Sequence, residues 1–178
     1  MKYFLIALTL ILNFSLSSVV NADTKVYFSP NGGCQEAVVN EINNAKKSID
    51  IAMYSFTSRP IVQALVDAKN RQVKIRIVLD KAQKNERYSK SRYLSSKGFD
   101  VKYHLGPGLM HNKFAVIDGG EVLTGSFNWT ASAEKRNEEN LLVITDKELS
   151  EKYSERFSHL WSESGDGEFT EVQFEGKE

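Results

Sequence analysis

Two short runs of alternating apolar residues, 113–118 (KFAVID) and 121–124 (EVLT), are separated only by Gly119-Gly120. A two-residue loop of this composition closes a β-hairpin through a primed turn, because glycine accepts the positive φ that matches the twist of the flanking strands. An antiparallel pair is therefore fixed inside a chain whose other signals alternate strand with helix. Strand patterns fall at 25–29, 49–55, 73–79, 99–103 and 140–145. Helical spacing falls at 33–47, where Cys34, Ala37, Val38, Ile42 and Ala45 share a face, at 59–71, where Pro60 occupies the first turn, near 88–96, and at 147–162. The last of these turns Leu149, Tyr153, Phe157, Leu160 and Trp161 inward. Strands joined through helices pair in parallel and the hairpin pairs antiparallel, so the expected fold is α/β, a mixed β-sheet flanked by helices on both faces.

The length of 178 residues suits one domain, and a chain of that size buries roughly two-thirds of its unfolded surface without staples. With a single cysteine, Cys34, an intrachain disulfide and a multi-thiolate zinc site are excluded, and its place on an apolar helix face predicts burial. Residues 1–22 have a basic start, an apolar run and small residues at Val20 and Ala22, the layout of a signal peptide cleaved after Ala22. The expected division is thus a leader at 1–22, a domain at 23–162 and an acidic tail at 163–178 whose large apolar residues are Phe169, Val172 and Phe174. The expected location is periplasmic or secreted, with no stable membrane association once the leader is removed.

The formal charge is zero, 23 basic against 23 acidic residues, yet it is a cancellation of two blocks. Residues 59–113 carry thirteen Lys or Arg against four acids, and residues 114–178 carry six against fifteen. Within 81–97, Lys81, Lys84, Arg87, Lys90, Arg92 and Lys97 interleave with Tyr88 and Tyr93, the composition of a surface that follows phosphates and stacks bases.

Chemistry concentrates between His111 and Asn140. Residues two apart on a strand share a face, so His111 and Lys113 set an imidazole beside an ammonium, an arrangement suited to a bound anion such as phosphate. The hairpin returns to Gly125-Ser126-Phe127-Asn128, where glycine permits close backbone approach and Ser126 and Asn128 offer hydrogen bonds. Farther on, Glu138 or Glu139 could hold one ring nitrogen of His111 and leave the other free to attack.

The pattern His111, Lys113, Asp118, Gly125, Ser126, Asn128 resembles the signature H-x-K-x4-D-x6-G-S-x-N of the phospholipase D superfamily at every specified position. With the leader, the size, the element order and the Glu139-Asn140 pair, the whole mature chain is similar to the small secreted bacterial nucleases of that superfamily. The resemblance implies that His111 is the nucleophile of a phosphohistidine intermediate. It implies that Lys113 and Asn128 bind the non-bridging phosphate oxygens, with Ser126 supporting them, that Glu139 orients His111, and that Asp118 braces the hairpin. A second histidine is needed as general acid for the leaving group. One motif per chain then implies a homodimer with His111 of each copy at a shared site; His104 is the rival within the chain, and His159 is expected at the surface of the last helix.

No cofactor and no metal are expected, because HExxH, clustered aspartates and Cys-His spacing are all missing from the sequence and Lys113 supplies positive charge. The expected activity is metal-independent endonucleolytic hydrolysis of nucleic acid, DNA or RNA. Two alternatives stay open: a phospholipase D-type phospholipid hydrolase, for which an exposed apolar lip would speak, and a secreted nucleic-acid-binding module without catalysis.

Overall fold

A computed structural model describes residues 22–166; residues 1–21, all of the expected leader except Ala22, and residues 167–178, including Phe169, Val172 and Phe174, lie outside the described residues. The strands are β1 (Asp23–Ser29), β2 (Ser48–Met53), β3 (Lys74–Leu79), β4 (Asp100–His104), β5 (Lys113–Ile117), β6 (Glu121–Gly125), β7 (Glu139–Thr145) and β8 (Ser164–Gly165). The helices are α1 (Cys34–Asn44), α2 (Arg59–Asn70), α3 (Ser91–Ser96), α4 (Ala131–Lys135) and α5 (Lys147–Ser162), with a 3₁₀ turn at Lys81–Lys84. All eight strands form one sheet in the order β1-β7-β6-β5-β2-β3-β4-β8. Only β2 with β3 and β3 with β4 pair in parallel, so the sheet is mixed.

Alternation along the strands separates two cores. Ile49, Ile51 and Met53 of β2 and Leu141 and Val143 of β7 join Val38, Ile42, Ile61 and Leu65 beneath α1 and α2. Ala52, Val78, Phe114 and Val116 point the other way and are covered by Phe157 and Leu160 of α5. Each of those two buried α5 side chains contributes about 1.5–3 kcal/mol. Beside them Arg76 makes a bidentate pair with Asp50 at 2.8 and 2.7 Å, its guanidinium 5.0 Å from the Phe157 ring centre. Helix starts follow side-chain caps: Ser58 accepts from the Ile61 N–H ahead of α2, and Asp146 accepts from the Leu149 N–H at 2.8 Å ahead of α5. Among the described residues no helix is long and apolar enough to cross a membrane.

Four details depart from the sequence reading. The helix expected near 88–96 begins only at Ser91, because the Lys90 N–H is drawn to the Phe56 carbonyl at 2.9 Å and residues 85–90, which follow the 3₁₀ turn, run as irregular turns. The five-residue α4, capped by Thr130 on the Ala133 N–H, is too short to show a period. Ser164 and Gly165, placed in the tail by composition, pair with His104 and Tyr103 of β4. In the hairpin, Ile117 pairs with Glu121, so the connection is Asp118-Gly119-Gly120 and not Gly119-Gly120 alone. Asp118 takes φ 53° because its carboxylate accepts the N–H groups of Lys46, Lys47 and Ser48 at 2.8, 2.6 and 2.9 Å. Cys34 is fully buried, and burial, with Glu134 adding to it, pushes its thiol up to about 11.

Candidate active site

The carboxyl ends of β2, β3, β4 and β6 and the amino ends of β5 and β7 meet at one end of the sheet, the position where open α/β sheets hold ligands. His111 enters there on a segment clamped from both sides. The Met110 N–H donates to Oδ2 of Asp80 at 2.8 Å, and the Asn112 carbonyl accepts from the Tyr54 N–H at 2.9 Å, continuing the β2–β5 ladder. Asp80 is completely buried and its other oxygen accepts the Ala82 N–H at 2.9 Å. The exposed His111 ring lies on Tyr54, with centroids 4.2 Å apart.

Lys113 Nζ lies 3.0 Å from His111 Nδ1, 2.7 Å from the His111 carbonyl oxygen and 5.1 Å from the Tyr54 ring centre. Burial lowers the pKa of Lys113, and the nearby Glu139 charge partly offsets it. Glu139 starts β7 on the same face as Leu141 and Val143; its Oε1 accepts from Asn137 Nδ2 at 3.2 Å.

Gly125 ends β6 with φ 146°, and a Cβ there would lie 2.2 Å from the Asn140 carbonyl oxygen, so no side chain fits. That oxygen accepts from the N–H groups of Ser126 and Phe127 at 3.1 and 3.2 Å, while Ser126 Oγ accepts the Asn140 N–H at 3.1 Å. Ser126 is thus a clasp between loop and strand. Phe127 and Trp129, both buried, anchor the chain on either side of Asn128, and the Trp129 carbonyl accepts from both Thr57 and Ser58 N–H at 2.9 Å. Asn128 is left at the mouth; its Oδ1 is buried without a hydrogen-bond partner.

The structure therefore brings His111, Lys113, Ser126, Asn128 and Glu139 to one sheet end. Asp118 stands at the other end of β5, about 17 Å away at the usual strand rise, where it ties the hairpin to the start of β2. His104 ends β4, three strand spacings or roughly 14 Å from β5, with a buried, unpartnered Nδ1. His159 sits on α5 with Nδ1 3.1 Å from Glu163. Sequence reasoning missed Tyr54 and Asp80; the signal was available, since each directly follows a strand whose carboxyl end faces the site.

The basic stretch is dispersed. Lys81 Nζ donates to the Gly106 carbonyl at 3.3 Å, Lys97 lies over Tyr93, and Arg87 lies 5.5 Å from the centre of the Tyr88 ring. Tyr88 and Tyr93 serve different surfaces: Tyr88 borders a cleft shared with Asn128, whereas Tyr93 borders a hollow with Arg59 and Lys90. Among the described residues no three His, Cys, Asp or Glu side chains gather as metal ligands.

Residues 38–161 match the family described as cardiolipin synthase, PLD-like domain. A protein named phospholipase D from Rickettsia felis is 38% identical over 141 residues, 79% of this chain and 70% of that protein. The mitochondrial cardiolipin hydrolase of Xenopus laevis is 35% identical over 123 residues, 69% of this chain and 59% of the other. Among solved structures, Nuc of Salmonella typhimurium, a phospholipase D family member, superposes with TM-score 0.78 at 34% identity, covering 82% of this chain and 97% of that one. NucT of Helicobacter pylori gives 0.76 at 26%, covering 81% and 98%. A matched family over most of the domain, relatives above 30% identity and the complete His-Lys-Asp and Gly-Ser-Asn pattern agree: the chain belongs to the phospholipase D superfamily.

Proposed function

We propose that this protein hydrolyses phosphodiesters of nucleic acid through a phosphohistidine at His111. The observation that carries the reading is the His111–Lys113 contact at the mouth formed with Asn128: an imidazole beside a partly desolvated cation and an amide donor, where a phosphate would sit. In the first step a ring nitrogen of His111 bonds to phosphorus and the P–O bond to the leaving group breaks, its oxygen taking a proton from a general acid. In the second, water attacks phosphorus, loses its proton to the same group, and the P–N bond breaks. Lys113 and Asn128 hold the non-bridging oxygens through both steps. Lys113 supplies the positive charge, so activity is expected in EDTA.

The general acid in this reading is His111 of a second copy, since His104 and His159 lie elsewhere. Leu105 and Leu109, 44% and 61% exposed on the loop leading to His111, support a contact between copies beside the site. A second reading draws on the same two leucines: they could serve as an apolar lip on a phospholipid surface, and the names of the curated relatives favour it. Leu109→Glu separates the two. Loss of the dimer together with activity on soluble bis(p-nitrophenyl) phosphate is expected; a dimer fully active on that diester and inactive only on vesicles would install the lipid reading.

The central test is His111→Ala against plasmid DNA, RNA and phosphatidylglycerol or cardiolipin vesicles, all with EDTA. Nucleic-acid cleavage by the wild type and none by the variant is expected. Cleavage of vesicles alone would replace the substrate assignment, and unchanged cleavage would remove His111 as nucleophile.

A further inference from the structure

The cleft that opens from Asn128 has a volume of about 540 Å³, within the range of small-molecule sites. Its walls include Tyr54, Tyr88, Gln83, Ser132 and Asn137 as well as Asn128, with one carboxylate, Glu86; it contains neither lysine nor arginine, and its only purely aliphatic side chains are the methyls of Ala82 and Ala131. The lining restricts the occupant. A run of phosphates would need cations, and acyl chains would need aliphatic walls; neither is present. Amides, hydroxyls and aromatic faces, with the acceptor oxygens of Glu86, suit a flat group without negative charge that is rich in donors and acceptors, which in a polynucleotide is the base.

We infer that this cleft receives the unpaired nucleobase next to the scissile phosphate, with Tyr88 as its stacking wall. This rests on the nucleic-acid reading above and adds a subsite to it. Asn128 belongs to both the phosphate mouth and the cleft, so the two are contiguous, as the linkage between a phosphate and its own nucleoside requires. Tyr88 is 64% exposed, an aromatic surface with no core to fill, and Arg87 lies against its ring, an arrangement that supports stacking by a base. A base enters such a recess only when unstacked and unpaired, which costs a duplex its pairing as well as its stacking and a single strand much less. The inferred preference is therefore for single-stranded or locally melted substrate, with sequence bias set by amides that meet base edges.

The test compares wild type, Tyr88→Ala and Tyr88→Phe on a single-stranded oligonucleotide, on its duplex and on bis(p-nitrophenyl) phosphate, which has no base. In Tyr88→Ala the ratio of kcat/KM on the single strand to that on the small diester falls about tenfold, mostly through KM, while Tyr88→Phe stays near wild type. A ratio unchanged in Tyr88→Ala, or lowered equally by Tyr88→Phe, overturns the subsite while nuclease activity of the wild type stands. Wild-type protein that cleaves the small diester and lipid vesicles but no oligonucleotide overturns the nucleic-acid reading and the subsite with it.

Discussion

The Nζ of Lys113 lies 3.0 Å from Nδ1 of His111, and because an ammonium has no acceptor, a hydrogen bond there is one that Lys113 donates to the ring lone pair, as in the tautomer that carries its proton on Nε2. Attack through Nδ1 needs the lone pair that Lys113 occupies; attack through Nε2 needs that proton moved to Nδ1. In the proposed reaction Lys113 must therefore leave the ring, and an arriving phosphate oxygen would draw it off. Lys113→Met is expected to lower kcat on bis(p-nitrophenyl) phosphate by about 10²-fold or more. Burial already disfavours this ammonium, so the melting temperature is expected to hold or rise slightly. A fall in kcat below tenfold would remove Lys113 from charge stabilisation.

Asp118 is expected to separate stability from activity. Burial opposes its charge, but the backbone N–H groups of Ser48, Lys46 and Lys47 outweigh that and hold its pKa below the ordinary 3.8. A lowered carboxylate stabilises the fold above its unfolded pKa and loses that contribution as pH falls through the folded one. Asp118→Ala should cost about 2–3 kcal/mol, a drop of roughly 5–10 °C in Tm, with kcat of the folded fraction within threefold of wild type. Asp118→Asn, which tolerates positive φ, should recover part of the loss. A large kcat defect in fully folded Asp118→Asn would place the residue in the chemistry after all.

The site was legible in sequence where the chain itself carries the geometry. The i, i+2 spacing of His111 and Lys113 and the return of the hairpin to Gly125-Ser126-Phe127-Asn128 act within one supersecondary unit, so spacing was enough. What could not be read depends on contacts distant in sequence. Strand order could suggest Tyr54 and Asp80 as residues at the site, but the contacts they make, Tyr54 beneath the His111 ring and Asp80 on the Met110 N–H, come from segments far apart in the chain, and Glu139 is brought to the same sheet end because β7 pairs with β6. Charge was the least transferable signal: the basic run 81–97 looked like one surface, yet its lysines fan out around a 3₁₀ turn and a short helix, leaving Tyr88 beside the site. The hairpin loop was misjudged by one residue because Asp118 takes its turn conformation from N–H groups seventy residues away, which no local rule contains.

Asp80 is expected to act as a positioning residue for His111. Its buried carboxylate holds the Met110 N–H, and an amide in its place would turn either a second donor toward that N–H or a weaker acceptor. Asp80→Asn should lower kcat more than tenfold while KM for the small diester changes less than threefold, with a stability loss of about 2 kcal/mol by urea denaturation. Kinetics on the folded fraction decide the matter: a loss of stability with kcat intact would reduce Asp80 to scaffold.

Glu121 gives the fold a pH dependence of its own. It lies at the far end of the sheet in a hollow with Glu41 and Asp118, and burial, reinforced by Glu41 and only partly countered by Lys25, pushes its carboxyl from the ordinary 4.5 up to about 7. Between those two values the folded protein keeps a proton that the unfolded chain has lost, so this group's contribution to stability is complete below pH 4.5, declines through the window and is gone above 7. Glutamine matches the protonated acid in shape and hydrogen bonding and never ionises. Glu121→Gln should match wild type in stability near pH 4 and exceed it at pH 8 by on the order of 1 kcal/mol, allowing for solvent screening of a half-exposed group. Thermal denaturation at the two pH values checks it; an equal difference at both would mean that the substitution acts through packing and that Glu121 titrates at an ordinary pH.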